Sequence, residues 1–194
     1  MNRYCGLAAA LLSATVVACA SRPARFYTLS PSAVETDAPL SVAVAVGPVS
    51  IPAVDDHPML MLSIGPNEIQ PDEFARWASP LPENIARAVV ANLKALLGTS
   101  RATVAAESSG EAPGYRVAIS VHQFDSFPGQ AAALDALWTV RRTSDGALRT
   151  GRSKVREAVA GKDIGALAAA HSRTVAHLSE EIAAAVRSLA DAQP

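Results

Sequence analysis

Four residues near the start, Val16-Val17-Ala18-Cys19, constrain this chain more than any other feature, because they decide where its folded part can reside. They close a segment with one positive charge, Arg3, and an apolar stretch from Gly6 to Val17. That is the layout of an export signal, and it is too short to remain as a membrane-spanning helix. A small residue followed at once by cysteine, after branched residues, is the bacterial lipobox pattern. The Cys19 thiol must lie at the membrane surface to take a diacylglyceryl group, and small Ala18 lets a peptidase cut just before it. Residues 1–18 are therefore read as a lipoprotein signal peptide, 19–25 as a lipidated tether and 26–190 as one folded domain.

Cleavage leaves 176 of the 194 residues, a size that folds as one domain with a full core. The leader removes one of the 17 basic residues and none of the 18 acids, so 16 face 18 and the net charge is −2. So even a balance argues against nucleic acid as a partner, since that surface needs a strong basic excess. The two cysteines are Cys5, which leaves with the leader, and Cys19, which is acylated. Neither is then left for a disulfide, a nucleophile or a metal. Acyl chains contribute about 0.8 kcal/mol per buried methylene, so a fully processed anchor is effectively permanent. The tether is short: at about 3.5 Å per residue, Cys19 to Phe26 spans roughly 25 Å at most. The domain is held against its own membrane, and a partner from another membrane must come to it.

Residues Phe26 to Leu29 read as a first strand and Ser30 to Leu40 as a loop. Val42, Val44 and Val46 alternate with small residues, and Gly47-Pro48 then marks an edge, a bulge or a strand end. Met59 to Ile64 is a second strand, turning at Gly65-Pro66-Asn67 into Glu68 to Gln70. Leu81, Ile85, Val89, Leu93 and Leu96 form a helical stripe, with Ser79 placed to cap, Pro80 and Pro82 in the first turn, and Gly98 at the end. Glu107 to Gly114 is a loop. Tyr115, Val117, Ile119 and Val121 alternate with polar or small residues, and Leu134, Ala136, Trp138 and Val140 give another strand. Asp145-Gly146 signals a hairpin into Leu148, Thr150 and Arg152. A long helix then runs from Asp163, its cap, to about Leu189, with Ile164, Leu167, His171, Val175, Leu178, Ile182, Val186 and Leu189 on one face. The order predicts an α/β domain, a mixed β-sheet covered by two main helices in a three-layer-like sandwich. Whether the helices share one face or take both stays open.

Chemistry is hard to place on this chain. It contains no H-E-x-x-H, G-x-S-x-G, Walker loop or G-x-G-x-x-G. His171 and His177 lie six residues apart, well separated around a helix, so they are not a ligand pair. His171 is expected at the boundary of the core with one hydrogen bond. His57, beside Asp55 and Asp56 and before Pro58, is expected in a solvated turn. No catalytic residue, metal site or cofactor is assigned, and the chain is read as not an enzyme. Two surfaces carry a binding hypothesis. One is the hairpin, where Arg141, Arg142, Arg149, Arg152, Lys154 and Arg156 gather. Such cations guard strand edges, and they equally suit lipid headgroups or an acidic partner. The other is Met59-Leu60-Met61-Leu62, expected as a buried strand, with a methionine-rich contact surface as the alternative. Arg149, Arg152, Lys154 and His57 are the candidate contact residues.

Four segments together carry a resemblance: VACASRPARFYTLSP (17–31), VAVGPVSIP (44–52), RWASPLPENIARAVVANLKALLG (76–98) and ALAAAHSRTVAHLSEEIAAAV (166–186). The chain resembles the PqiC (YmbA-like) family of ABC-type transport auxiliary lipoproteins. The resemblance implies an α/β sandwich anchored on the periplasmic face of the outer membrane. It implies partnership with a mammalian-cell-entry (MCE) domain protein and its inner-membrane permease, and a role in lipid transport or membrane integrity. A ring of identical copies is a further implication, since MCE proteins form rings. Where the family often has Arg-Pro followed by Gln, this chain has His57-Pro58-Met59, so contacts made by that loop are expected to differ. Only Cys19 transfers as a site residue, for lipidation. A lipid-anchored assembly or pilot protein for another envelope complex is the alternative reading, and a lipid-anchored hydrolase is disfavoured.

Overall fold

The computed structural model describes residues 23–35, 37–107 and 112–192, so the leader and Cys19 lie outside the described residues. Two helices dominate. Helix α1 spans Leu81–Leu97 and α2 spans Ile164–Asp191. The expected cap on α2 forms, with the Asp163 carboxylate accepting from the Ala166 N–H at 2.9 Å. On α1 it does not: Pro80 occupies the capping position with no side-chain cap, and Ser79 lies one residue too early. Proline suits that place because the first amides of a helix have no intrahelical acceptor to lose. Gly98 closes α1 at φ +62°, where a side chain would be strained. Of the α2 stripe, Leu167, His171, Val175, Leu178, Ile182, Val186 and Leu189 are all buried. Each such aliphatic side chain contributes roughly 1.5–3 kcal/mol by leaving water.

Among the described residues eight strands form one sheet: β1 (Arg25–Tyr27), β2 (Val44–Ser50), β3 (Met59–Gly65), β4 (Glu68–Trp77), β5 (Ala102–Val104), β6 (Tyr115–Phe127), β7 (Ala131–Arg142) and β8 (Leu148–Ala158). The long strand β6 is its axis. One edge of β6 takes β7, which in turn takes β8. The other edge forks: β2 pairs in parallel with its first half, and β3 joins further on, Leu62 opposite Ser126. Strand β5 extends the β2 branch, while β4 and β1 extend the β3 branch. Gly47-Pro48 proves to be a bulge, with the β2–β6 register shifting between Val46 and Val49. Strand β5 pairs with β2 only at Val44, Ala45 and Val46, so beyond the bulge β2 keeps β6 alone as its partner.

The core lies between the sheet and the helices. Val44, Val46, Leu60, Val117, Ile119, Leu134 and Val140 meet Ile85, Val89, Leu93, Leu178 and Ile182 in one cluster. Trp138 lies over Gly151 so closely that a Cβ there would collide with the indole, which is why that register position is glycine. Both helices pack on the same face of the sheet and against each other. The third layer of the expected sandwich is reduced to a strap, residues 28–35 and 37–40, laid along the seam between them. Asn84 on α1 accepts from the Leu29 N–H, and Asn92 accepts from the Ser32 and Ala33 N–H groups. Ser172 on α2 accepts from the Ser30 N–H, and Arg187 donates to the Ala38 carbonyl. The strap thus has its backbone groups met by side chains of both helices, as a loop held over a core requires.

Strand directions give the molecule two ends. The β3–β4 turn, the β6–β7 turn and the start of α2 share the first, and the chain before β1 runs toward it. The β7–β8 turn and the end of α2 share the second. Along the twelve residues of β7 these ends are about 40 Å apart.

Candidate functional site

The basic hairpin forms as expected, but alternation divides its cations between two faces of the sheet. Arg142 follows Trp138 and Val140 on the helix side and is buried, 6 % exposed. Its Nε donates to Asp145 at 2.9 Å and its Nη1 to the Leu189 carbonyl at 2.6 Å. It therefore ties the hairpin turn to the last turn of α2, and its guanidinium pulls the Asp145 carboxyl down to about 2. Arg152 stands on the open face and grips the buried Asp135 carboxylate with two hydrogen bonds, 2.8 and 2.7 Å. That contact holds Asp135 below the usual carboxylate range. Lys154 is in register with Asp135 and exposed. The Arg156 guanidinium lies over the Phe127 ring, 4.4 Å from its centre. Arg149 and Arg141 are exposed near the second end, and Arg149 donates to its neighbour's carbonyl, Leu148. Of the candidate contact residues, Arg149 and Lys154 are thus the least occupied by the fold, and of these two Arg149 is the one at the second end. The buried role of Arg142 was readable from its parity with Val140, which counting cations around a hairpin ignores.

The His57 loop leads from β2 to β3. His57 is exposed and its Nδ1 accepts from the Met59 N–H at 3.2 Å, the turn expected of it. With Asp56, Pro58, Trp77, Ser79 and Pro80 it lines a cavity of about 310 Å³. Asp55, next to it, is buried, and loss of water together with the nearby Asp125 carboxylate pushes its carboxyl up to about 7. In the neighbouring strand Leu60 is buried in the core while Met59 and Met61 are half-buried, so the methionines do not join the core side. The fold thus separates the His57 loop from the hairpin turn rather than merging them into one patch.

His171 is fully buried rather than at the core boundary. Its Nε2 meets the Ser126 hydroxyl at 2.8 Å, its ring stacks on Phe124 at 4.0 Å, and among the described residues Nδ1 has no hydrogen-bond partner. Burial pushes its pKa down to about 3, so it is neutral in the fold. His177 pairs instead with Glu157 and Glu180. Among the described residues no three His, Cys, Asp or Glu side chains gather in a way that could hold a metal ion. No described helix is long and apolar enough to cross a membrane. A second cavity, about 420 Å³, is mostly apolar and lies beside the Gly47-Pro48 bulge, with Pro82, Ala86, Val104 and Ala105 in its wall. What these surfaces offer is contact area and charge.

Comparison with known proteins agrees with a chain of this architecture. A family model for ABC-type transport auxiliary lipoprotein components matches residues 27–183. A crystal structure described only as that of an uncharacterized protein superposes with a TM-score of 0.69 at 18 % identity, covering 85 % of this chain and 99 % of its own. A Xanthomonas campestris protein of the DUF330 family gives 0.65 at 21 % identity, covering 88 % of this chain and all of its own. At such identities these two establish a shared fold. No curated protein matches the chain significantly.

Proposed function

The chain belongs to the family of ABC-type transport auxiliary lipoprotein components, and on that premise we propose that it is a non-enzymatic docking component of an MCE-type lipid-transport system at the outer membrane. The observation that carries this reading is the family match, which runs from β1 into the last third of α2. Cys19 is the lipidation site, and its acyl chains hold the domain on the periplasmic face of the outer membrane. The partners are an MCE-domain protein and the associated inner-membrane permease, met by a ring of copies of this chain. A sheet that presents Arg141 and Arg149 at the end away from the tether suits such a meeting, because charged rims steer and orient partners more than they add affinity.

The test is co-purification of the lipidated protein with the MCE-domain protein encoded nearby. Arg149→Glu is expected to weaken capture several-fold with an unchanged melt. A change in the His57 loop tests the second surface in the same way. Capture of an envelope complex without any MCE protein would favour the assembly or pilot reading instead. Mass spectrometry of the mature N-terminus checks the anchor, and an unmodified Cys19 would reject it. Ala20→Asp is expected to shift the protein toward the inner membrane, read by fractionation.

A further inference from the structure

Among the described residues, Ile64 and Ile69 are exposed large hydrophobic side chains at the β3–β4 hairpin tip, 47 % each, with Phe74 (37 %) and Phe26 (66 %) further back in β4 and β1. Ser63 pairs with Ile69, so Ile64, one residue on, stands on the opposite face of the ribbon. The hairpin therefore presents an isoleucine on each side of the Gly65-Pro66-Asn67 turn, where a solvated turn needs none. A grouping of this kind marks a contact surface.

Strand direction says what it meets. Phe26 is in register with Arg76, and Arg76 with Met59, so these three stand level across β1, β4 and β3. Strand β1 runs parallel to β4, so the chain upstream of Phe26 leaves in the direction of the hairpin turn. From Met59 to Gly65 the hairpin advances six residues, about 20 Å. From Phe26 back to Cys19 the chain has seven residues, at most about 25 Å. Fully extended, seven residues are therefore long enough for the lipid-bearing cysteine to reach the level of the turn.

We propose that the β3–β4 hairpin tip, through Ile64 and Ile69, inserts into the interfacial layer of the bilayer that holds the Cys19 acyl chains. This rests on the lipid anchor of the proposed function. Around the tip and the start of β1, Glu68, Asp72, Glu73 and Asp163 offset Arg25, Arg76 and Lys162. Contact is therefore apolar and does not depend on anionic lipid. The tether end lies on the membrane, and the β7–β8 turn with Arg141 and Arg149 points away from it, about 40 Å off. Of the two partners that suit hairpin cations, the distant turn is left to a protein.

The full-length lipoprotein is tested with one cysteine introduced at a time, Ile69→Cys, Asn67→Cys or Ser144→Cys, each labelled with an environment-sensitive fluorophore. Cys19 is consumed by its lipid, so the new thiol is unique. The protein is reconstituted in phosphatidylethanolamine vesicles, with and without phosphatidylglycerol, carrying nitroxide-labelled acyl chains. Labels at 67 and 69 are expected to shift to the blue and lose most of their emission to the nitroxide, in high salt as in low. The label at 144, in the β7–β8 turn, is expected to do neither. Lipidated, vesicle-bound protein whose labels at 67 and 69 both stay in water overturns the proposal and leaves the anchor standing. So does a signal that appears only with phosphatidylglycerol. Protein that mass spectrometry shows to be unlipidated, and that does not float with vesicles, overturns the anchor and the proposal together.

Discussion

The two ends of this domain bury a basic side chain in opposite ways. At the tether end His171 is sealed among Trp77, Phe124 and Ser126 and gives up its charge. At the far end Arg142 cannot give up its charge, and the fold answers with Asp145 and the Leu189 carbonyl. The surfaces differ in the same sense: Ile64 and Ile69 are exposed at the tip of one end, while Arg141 and Arg149 are exposed at the other beside the partly exposed Leu148. Apolar surface with a neutral interior suits a lipid boundary, and fixed charge suits an oriented protein contact. The contrast teaches that one α2 helix, running the length of the molecule, joins two differently built ends.

The largest expected effect comes from breaking what the ends share. Leu178 is fully buried at the centre of α2. Leu178→Asp forfeits roughly 1.5–3 kcal/mol of burial and adds an unpaired charge, against a typical total of about 5–15 kcal/mol. No cooperative melt is expected, whereas Leu137→Asp on the exposed face of β7 is expected to melt near wild type. Equal melts for the two would mean that α2 is not docked on the sheet.

Acid separates the ends. His171 falls from 6.5 to about 3 on folding, so the unfolded chain takes the proton first as pH drops. Its contribution is whole above pH 6.5 and is lost toward pH 3, amounting to about 2 kcal/mol by pH 5. The Arg142–Asp145 contact acts lower: its stabilisation is full above the ordinary 3.8 and is lost only as pH falls toward about 2. Hydrogen exchange from pH 7 to 4 is expected to rise first around residues 124–126 and 168–174, with the β7–β8 turn and 186–190 holding. His171→Gln should flatten the pH dependence, and an unchanged slope would place the proton elsewhere.

A smaller effect of the opposite sign is expected between the ends. Asp55 rises from 3.8 to about 7 on folding, so its ionisation opposes the fold increasingly as pH climbs through that window. Asp55→Asn is expected to raise the melting temperature at pH 8 and to leave it unchanged at pH 4, read by parallel melts.

Strong periodicity was legible in the sequence, and broken periodicity was not. The α2 stripe and the alternation of Tyr115 to Val121 each had one buried face, and both were readable as such. Strand β4 was expected only as far as Gln70. It continues to Trp77, but Pro71, Asp72 and Glu73 interrupt it where its register with β3 shifts. Strand β5 is three residues long and shows no pattern of its own. Asn84 and Asn92 lie beside an apolar helix stripe, and only a partner far away in sequence, the strap, explains why they are buried there. At the candidate sites, residue type was visible while facing was not. The six hairpin cations read as one patch, and pairing with Asp135, Asp145 and Phe127 leaves chiefly Arg141 and Arg149 toward solvent at the far end.

The division of labour between the ends is tested most directly by photocrosslinking in cells. A photoreactive residue is placed at Arg149 in one strain and at Ile69 in another, with the lipoprotein otherwise intact. The account predicts that position 149 captures the MCE-domain protein encoded nearby, while position 69 yields lipid adducts and no protein. Capture of that protein from position 69 and not from position 149 would contradict it.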